Sequence, residues 1–508
     1  MKPLLSCILA LSLLVTGCSR PAPQGRVLVI GLDGGTFDLI EPWLEDGSLP
    51  ELASLRAQGA SGDLESVVPC LSPPAWATAI TGCNPGKHGI FDFQRRLPGQ
   101  LVTVSETSRT RRVPGIWAYF SAEKRRSAII NVPLTAPQEP LLGYMISGFP
   151  HLQKTGYTYP PELQQRLGGY ILDEMNMSLA TGREKEFRDD VFAAERERAR
   201  VAEELLREGD WGLFWVVFTG TDRLQHYFWK FMDPAHPMHS PEAAPEWGGV
   251  IKDFWKTVDG YIGRLVDIAG ENTTVVILSD HGFGPVYREL RIQNLLRHPV
   301  NPGEEPIRWT YSLDVDASSL YFSRKGREPG GVLDDASYAA AREEVARRLL
   351  AFVDPETGVH PVERIIKAED EYEGLYLDKA PDLIAIPAEN YWITLGDESR
   401  DFTDPPTGLP TFTFSAWHEL NGMLIVAGPG VRRGANVTGA HLTDIVPTIL
   451  YAAGNGIPPG LDGKVLDDLF TPEFLGSHPK RVFEGEIELP EGLPKDVEEN
   501  LRSLPYVR

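Results

Sequence analysis

Five short runs of apolar residues constrain this chain more than any other feature. They are Val27 to Ile30, Ala128 to Val132 (broken only by Asn131), Phe214 to Phe218, Val275 to Leu278, and Leu424 to Ala427. Apolar and polar residues do not alternate in them. Each therefore reads as a strand buried on both faces, not one with a wet side. Between the runs lie stretches with helical spacing. Leu49, Leu52 and Leu55 share one face ahead of Gly59, and Val250, Phe254, Val258, Tyr261, Ile262 and Leu265 share another. Strands alternating with helices predict an α/β fold, a mostly parallel central sheet sandwiched by helices.

A chain of 508 residues exceeds what one core fills, since single cores stop growing near ~250–300 residues. We expect a core whose first part is residues 26–300, an inserted cap at 301–412, the last part of the core at 413–470 and a peripheral tail at 471–508. The cap carries apolar runs of its own, Ser319 to Phe322 and Asp382 to Ile386. Residues 93–127 and 150–205 are polar and read as additions to the core. The formal net charge of -22 argues against a nucleic-acid binder, which needs a basic face.

The first 18 residues have the form of a targeting segment. Lys2 supplies a positive start, and Leu4 to Val15 is apolar but too short to span a bilayer comfortably. Val15-Thr16-Gly17-Cys18 resembles a bacterial lipoprotein cleavage box, with residues 19–25 as a tether. The expectation is an extracytoplasmic protein of the cell envelope, anchored to the membrane by lipid on Cys18. An ordinary secretory signal is the alternative. Of the remaining cysteines, Cys70 and Cys83 flank a predicted helix over Pro73 to Thr81. Nine helical residues rise about 13 Å, too far for a disulfide, so two free thiols are expected.

Polar residues with metal-binding chemistry gather at the ends of the apolar runs. Asp33 closes the first, Asp222 and His226 follow the third, and Asp280 and His281 follow the fourth. Ligands of open α/β sheets bind beyond the carboxyl ends of the strands. His418 precedes the fifth run and has to reach the others from a loop. Singly, each has a mundane reading: Asp33-Gly34-Gly35 is a turn sequence, and Asp222 and His226 have the spacing of a surface helical pair. Together, mixed Asp and His ligands suit zinc, manganese, iron or cobalt better than calcium. Ser72, ahead of Pro73 and Pro74, is written as a helix N-cap, with Gly82 as the stop. Such a terminus also attracts anions. Ser72 is thus a cap, or a nucleophile activated by a neighbouring cation.

The chain resembles the alkaline phosphatase superfamily, in particular its type I phosphodiesterase/nucleotide pyrophosphatase branch and the bacterial and archaeal phosphohydrolase- or phosphomutase-like group within it. The resemblance is carried by Gly31-Leu32-Asp33-Gly34-Gly35, by Leu71 to Phe93 with Asn84-Pro85-Gly86-Lys87-His88-Gly89, by Ser279-Asp280-His281-Gly282-Phe283-Gly284, and by Thr443 to Leu450 with Leu461-Asp462-Gly463. It implies an alkaline-phosphatase-like core holding two divalent metal ions, zinc first, with manganese or cobalt as substitutes. Asp33, Ser72, Asp280 and His281 would surround one, and Asp222, His226 and His418 the other. Ser72 would be the nucleophile of a double displacement through a phosphoserine. The substrate would be a phosphate-ester small molecule or an envelope component.

Two positions depart from the branch. Its nucleophile is often threonine, and an asparagine that holds a phosphoryl oxygen is replaced here by Phe93. Lys87 or His88 is expected to take over that contact. A sulfatase would need arginine four residues after position 72, where Trp76 stands. An export signal argues against a glycolytic mutase. A phosphomonoesterase, a phosphotransferase or mutase of the same superfamily, and a non-catalytic envelope lipoprotein remain as alternatives.

Overall fold

The computed structural model describes residues 25–507 apart from 98, 101, 152–154, 173–181, 314–315, 397–400, 406–413 and 489–494. The signal expected at residues 1–18, Cys18 included, and the tether up to residue 24 lie outside the described residues.

The first apolar run forms the strand Arg26–Leu32 in the middle of a 10-stranded sheet. It pairs in parallel with Leu213–Phe218 on one side and Thr273–Leu278 on the other, with Val29 opposite Trp215 and Val276. Ser127–Ile130 and then Gly143–Ile146 extend the parallel set beyond Leu213–Phe218. On the other flank the fifth run, Asn421–Ala427, is antiparallel to both Thr273–Leu278 and Ala60–Glu65. The five runs are therefore all strands of one mostly parallel sheet with helices on both faces.

Side chains along a strand alternate between the two faces. Leu28, Ile30 and Leu32 point into one core cluster, and Val27 and Val29 into the other. Both faces being covered is why these runs contain no polar alternation. Truncating a residue such as Ile30 or Ile277, both fully buried, costs ~2–5 kcal/mol through the cavity left behind.

Three long helices cover the Ile30 face: Glu184–Arg207, Gly220–Met232 and Val250–Ala269. The first lies in a segment that polar composition marks as an addition, yet Phe187, Val191, Ala199, Ala202 and Leu205 are buried core residues. Most of its charges sit on the opposite face, Glu195 and Arg198 being the buried exceptions, so average composition hid a strongly one-sided helix. Ile116–Ala122 corrects the 93–127 expectation likewise, burying Ile116, Trp117 and Phe120. The tail is less peripheral than its composition suggests. Phe483, Ile487 and Tyr506 are buried, and Phe483 and Tyr506 meet Tyr119 edge-on at 5.2 and 5.8 Å.

Between the fourth and fifth runs the chain builds a second small core. A four-stranded sheet in the order Thr310–Tyr311, Ser319–Phe322, Leu383–Pro387, Val362–Ile366 is joined by the helix Asp335–Ala351. Leu320, Phe322, Val345, Leu349, Leu383 and Ala385 pack together there. Leu290, Ile292, Leu295 and Leu296 belong to the same cluster, so this core draws in residues that precede position 301. Among the described residues no helix is long and apolar enough to cross a membrane.

Candidate active site

The ends of the central strands deliver the expected residues to one place. Asp33 follows Leu32 directly, and its amide donates to Phe218 O at 3.1 Å, which ties it to the neighbouring strand. Asp280 and His281 follow Thr273–Leu278 after Ser279. Asp222 and His226 sit one turn apart on the helix Gly220–Met232 and so share a face. His418 comes in on a strand and not a loop. Ala416–Glu419 pairs antiparallel with Gly282–Pro285, which sets His418 opposite Phe283. Gly282 permits this: a Cβ there would lie 2.1 Å from Asn421 O. Four residues without alternation gave the sequence no strand signal.

Ser72 is the first helical residue of Ser72–Thr81, not its cap; Leu71 holds that position, and no side chain caps the helix. The expected N-cap bond is absent because the chain enters the helix one residue earlier. Pro73 and Pro74 lack N–H groups, so the main-chain anion site expected at this terminus retains only the Ser72 amide from the first three positions. The Ser72 hydroxyl turns instead to His281, with Oγ 3.2 Å from Nε2. Gly82 closes the helix in the left-handed region at φ 69°, as its position predicts.

Two groups of ligand atoms result. In one, Asp222 Oδ1 lies 3.3 Å from His226 Nε2 and 3.2 Å from His418 Nε2. The other combines Asp33, Asp222 and His281. There His281 Nε2 is 3.6 Å from Asp33 Oδ1 and 3.3 Å from Asp280 Oδ2. Within each group the ligand atoms lie within 4.8 Å of one another. Asp222 thus stands between the two groups, where the sequence pattern had given it to one.

The polar chemistry of these atoms fits divalent cations. Each imidazole spends Nδ1 on a main-chain carbonyl: His226 on Ala416 at 2.9 Å, His281 on Gly282 at 3.0 Å, His418 on Cys70 at 3.0 Å. A carbonyl only accepts, so Nδ1 carries the proton and each Nε2 presents a lone pair. Two of the three carboxylates, Asp33 and Asp280, are arranged similarly. Trp76 Nε1 donates to Asp33 Oδ2 at 3.0 Å and Gly34 N to Asp280 Oδ1 at 3.2 Å. Asp33 Oδ1, Asp222 Oδ1 and Asp280 Oδ2 are buried and accept no hydrogen bond. Acceptors crowded without donors suit a cation.

The charges agree. Burial, then the neighbouring carboxylates, pushes Asp33 and Asp280 well above the usual carboxylate range. Burial lowers His281, and together with His281 it pushes His418 down to about 3. At neutral pH these two imidazoles are therefore in the uncharged form that binds metals.

Lys87 and His88 are committed elsewhere. Lys87 pairs with Asp462 and donates to Gly460 O at 3.2 Å. His88 is fully buried, 3.0 Å from Thr78 Oγ1, and accepts from Ile90 N at 3.2 Å. Both brace the turn after the Ser72 helix. Two aromatic residues escaped the sequence reading as site components. Trp76, one turn beyond Ser72, orients Asp33, and its spacing from Ser72 was the available signal. Trp417 stacks on its neighbour His418 with ring centres 4.7 Å apart, and Trp392 stacks on Trp417 at 4.5 Å. Cys70 and Cys83 are free thiols, as expected.

The sequence model of the type I phosphodiesterase / nucleotide pyrophosphatase family matches residues 27–418, from the first strand to the last imidazole of the site. This chain belongs to that family. It is accordingly a metal-dependent phosphoric ester hydrolase with an alkaline-phosphatase-like fold. No curated protein matches it in sequence. Among solved structures it is similar to human ectonucleotide pyrophosphatase / phosphodiesterase 5, at 16% identity and TM-score 0.55, covering 88% of this chain and 100% of that one. The murine counterpart in complex with AMP gives 16%, 0.54, 88% and 100%. Phosphonoacetate hydrolase from Sinorhizobium meliloti 1021, in complex with phosphonoformate, gives 18% identity and TM-score 0.55, covering 86% and 97%. At such identities these structures speak for the fold of this family member.

Proposed function

We propose that this family member is a phosphodiesterase with two divalent ions, zinc first, at a centre where Ser72 is the nucleophile. The observation that carries it is the Ser72 hydroxyl, 3.2 Å from His281 Nε2, at the edge of two ligand groups joined by Asp222. Asp33, Asp280, Asp222 and His281 would hold one ion beside Ser72, and Asp222, His226 and His418 the other. When bound, such ions supply Lewis acidity, which lowers the pKa of the serine hydroxyl and offsets charge on the phosphoryl oxygens. Ser72 Oγ attacks phosphorus in line with the ester oxygen that leaves. The Oγ–P bond forms as the P–O bond to the leaving group breaks, the hydroxyl proton ending on the departing oxygen, and gives a phosphoserine that still carries the second ester group. Water then takes the phosphoryl group and restores the hydroxyl. Three aspartates and a serine alkoxide balance two dications, so an anionic substrate meets a near-neutral site despite the acidic chain.

The same proposal places the enzyme outside the cytoplasm, lipid-anchored through Cys18, acting on a small phosphate ester or an envelope component. The sequence of residues 1–18 supports this. The test is hydrolysis of bis-p-nitrophenyl phosphate, p-nitrophenyl phosphate and a phosphonate analogue with zinc, manganese and cobalt supplied in turn. Faster turnover of the diester is expected. Preference for the monoester makes it a phosphomonoesterase, and no turnover with any metal favours a binding lipoprotein.

A further inference from the structure

The helix that carries Asp222 and His226 starts without a cap of its own. Thr219 occupies the cap position, and its side chain makes no capping bond. The missing acceptor comes from a different helix. Glu195, on Glu184–Arg207, takes the Gly220 amide on Oε1 at 2.6 Å and the Thr219 hydroxyl at 3.4 Å. Its other oxygen pairs with Arg198, one turn along. Glu195 is 2% exposed and Arg198 1%. A charge pair this deep is costly to desolvate and is weak evidence for stability alone. A carboxylate at a helix N-terminus, however, makes charge-assisted bonds and sits well in the helix dipole.

The packing around this contact is tight. A Cβ at Gly220 would lie 2.4 Å from the Phe254 ring, 2.9 Å from Glu195 Cγ and 2.9 Å from Val191. Only glycine lets the two helices approach so closely. The next residue is tied as well: Thr221 Oγ1 donates to Asp33 O at 2.6 Å. Asp222 follows, and Asp222 is the carboxylate shared by both ligand groups. Position 220 is held from the helical layer and position 221 from the central strand, so the two contacts together set where Asp222 stands.

We propose that Glu195 is a positioning residue for metal binding: through Gly220 it fixes the first turn of the Asp222 helix and so the alignment of the shared ligand. This rests on the two-metal reading above. A comparable residue with no ligand downstream exists in the same fold. Asp259 accepts from the amides of Glu51 at 3.1 Å and Leu52 at 2.8 Å, capping Pro50–Gln58 from a neighbouring helix.

The experiment titrates zinc into metal-stripped full-length protein against a chromophoric chelator, for wild type, Glu195→Gln, Glu195→Asp and Asp259→Asn, with thermal unfolding of each without metal. Glu195→Gln is expected to lose several-fold in zinc affinity and not more than about a hundredfold, the upper range for groups bonded directly to a ligand, because Glu195 acts through the Gly220 amide. Asp259→Asn is expected to lose stability with affinity unchanged. Glu195→Asp keeps a charge facing Arg198 while withdrawing the carboxylate by one methylene. It covers the case in which the glutamine variant does not fold, and it too should bind zinc more weakly. If both Glu195 variants bind as wild type does, or if Asp259→Asn loses as much affinity as they do, Glu195 only supports the fold and the inference is overturned. Wild type that binds no zinc would instead overturn the two-metal reading beneath it.

Discussion

The Nε2 atoms of His226 and His418 face each other at 3.2 Å, while both Nδ1 atoms are spent on main-chain carbonyls. Two lone pairs at that distance repel unless something positive lies between them, and Asp222 Oδ1, equally close to both, supplies no proton. The centre has this character: acceptors of Asp33, Asp280 and the three imidazoles are prearranged by main-chain and tryptophan partners, a donor-poor set that suits cations.

Because Asp222 serves both groups, its loss and that of His418 differ. Asp222→Ala is expected to weaken both sites, and His418→Ala to leave about one ion per chain. Zinc stoichiometry by atomic absorption after gel filtration separates them. Equal loss in both variants would mean that Asp222 is not shared.

Ser72→Ala should lower turnover by at least about a thousandfold. Ser72 caps nothing, but its buried hydroxyl bonds His281, so unfolding free energy should change by no more than about 1–2 kcal/mol. Chemical denaturation and diester hydrolysis measured on one preparation check both halves. Retained turnover would return Ser72 to a purely structural role.

His88 gives a pH signature outside the metal centre. Burial, then Arg111 and Arg112, pushes it from an ordinary 6.5 down to about 3. The unfolded chain then binds the extra proton at a higher pH than the folded one. Its contribution is therefore complete above about pH 6.5 and is lost as pH falls towards 3, by an amount on the order of a few kcal/mol. His88→Gln should flatten the fall of urea stability over that window. An unchanged slope would contradict the assignment.

Cys18→Ser should move the protein from the membrane fraction to the soluble exported fraction. Fractionation of cells expressing each form reads this directly, and an unchanged distribution would remove Cys18 as the anchor.

Much of this was legible in the sequence, for identifiable reasons. The five apolar runs announced a sheet covered on both faces, and the candidate ligands just past strand ends came together as that geometry requires. What stayed hidden depended on neighbours far away in the chain. His418 lies on a strand because Gly282 admits a close partner, which local pattern does not reveal. The Glu184–Arg207 helix looked like a polar appendage because its charges outnumber the buried stripe that fixes it. Ser72 missed its expected cap by one residue, since proline fits either of the first helical positions. Lys87 and His88 looked available only while Asp462 and Thr78, their partners, were out of view.

The proposed chemistry depends on two transition-metal ions at the joined groups. Metal analysis of the full-length protein, stripped and reloaded with zinc and then desalted, tests it most directly. Close to two zinc ions per chain are expected in wild type. A preparation that retains none after reloading, or binds only calcium, would contradict it.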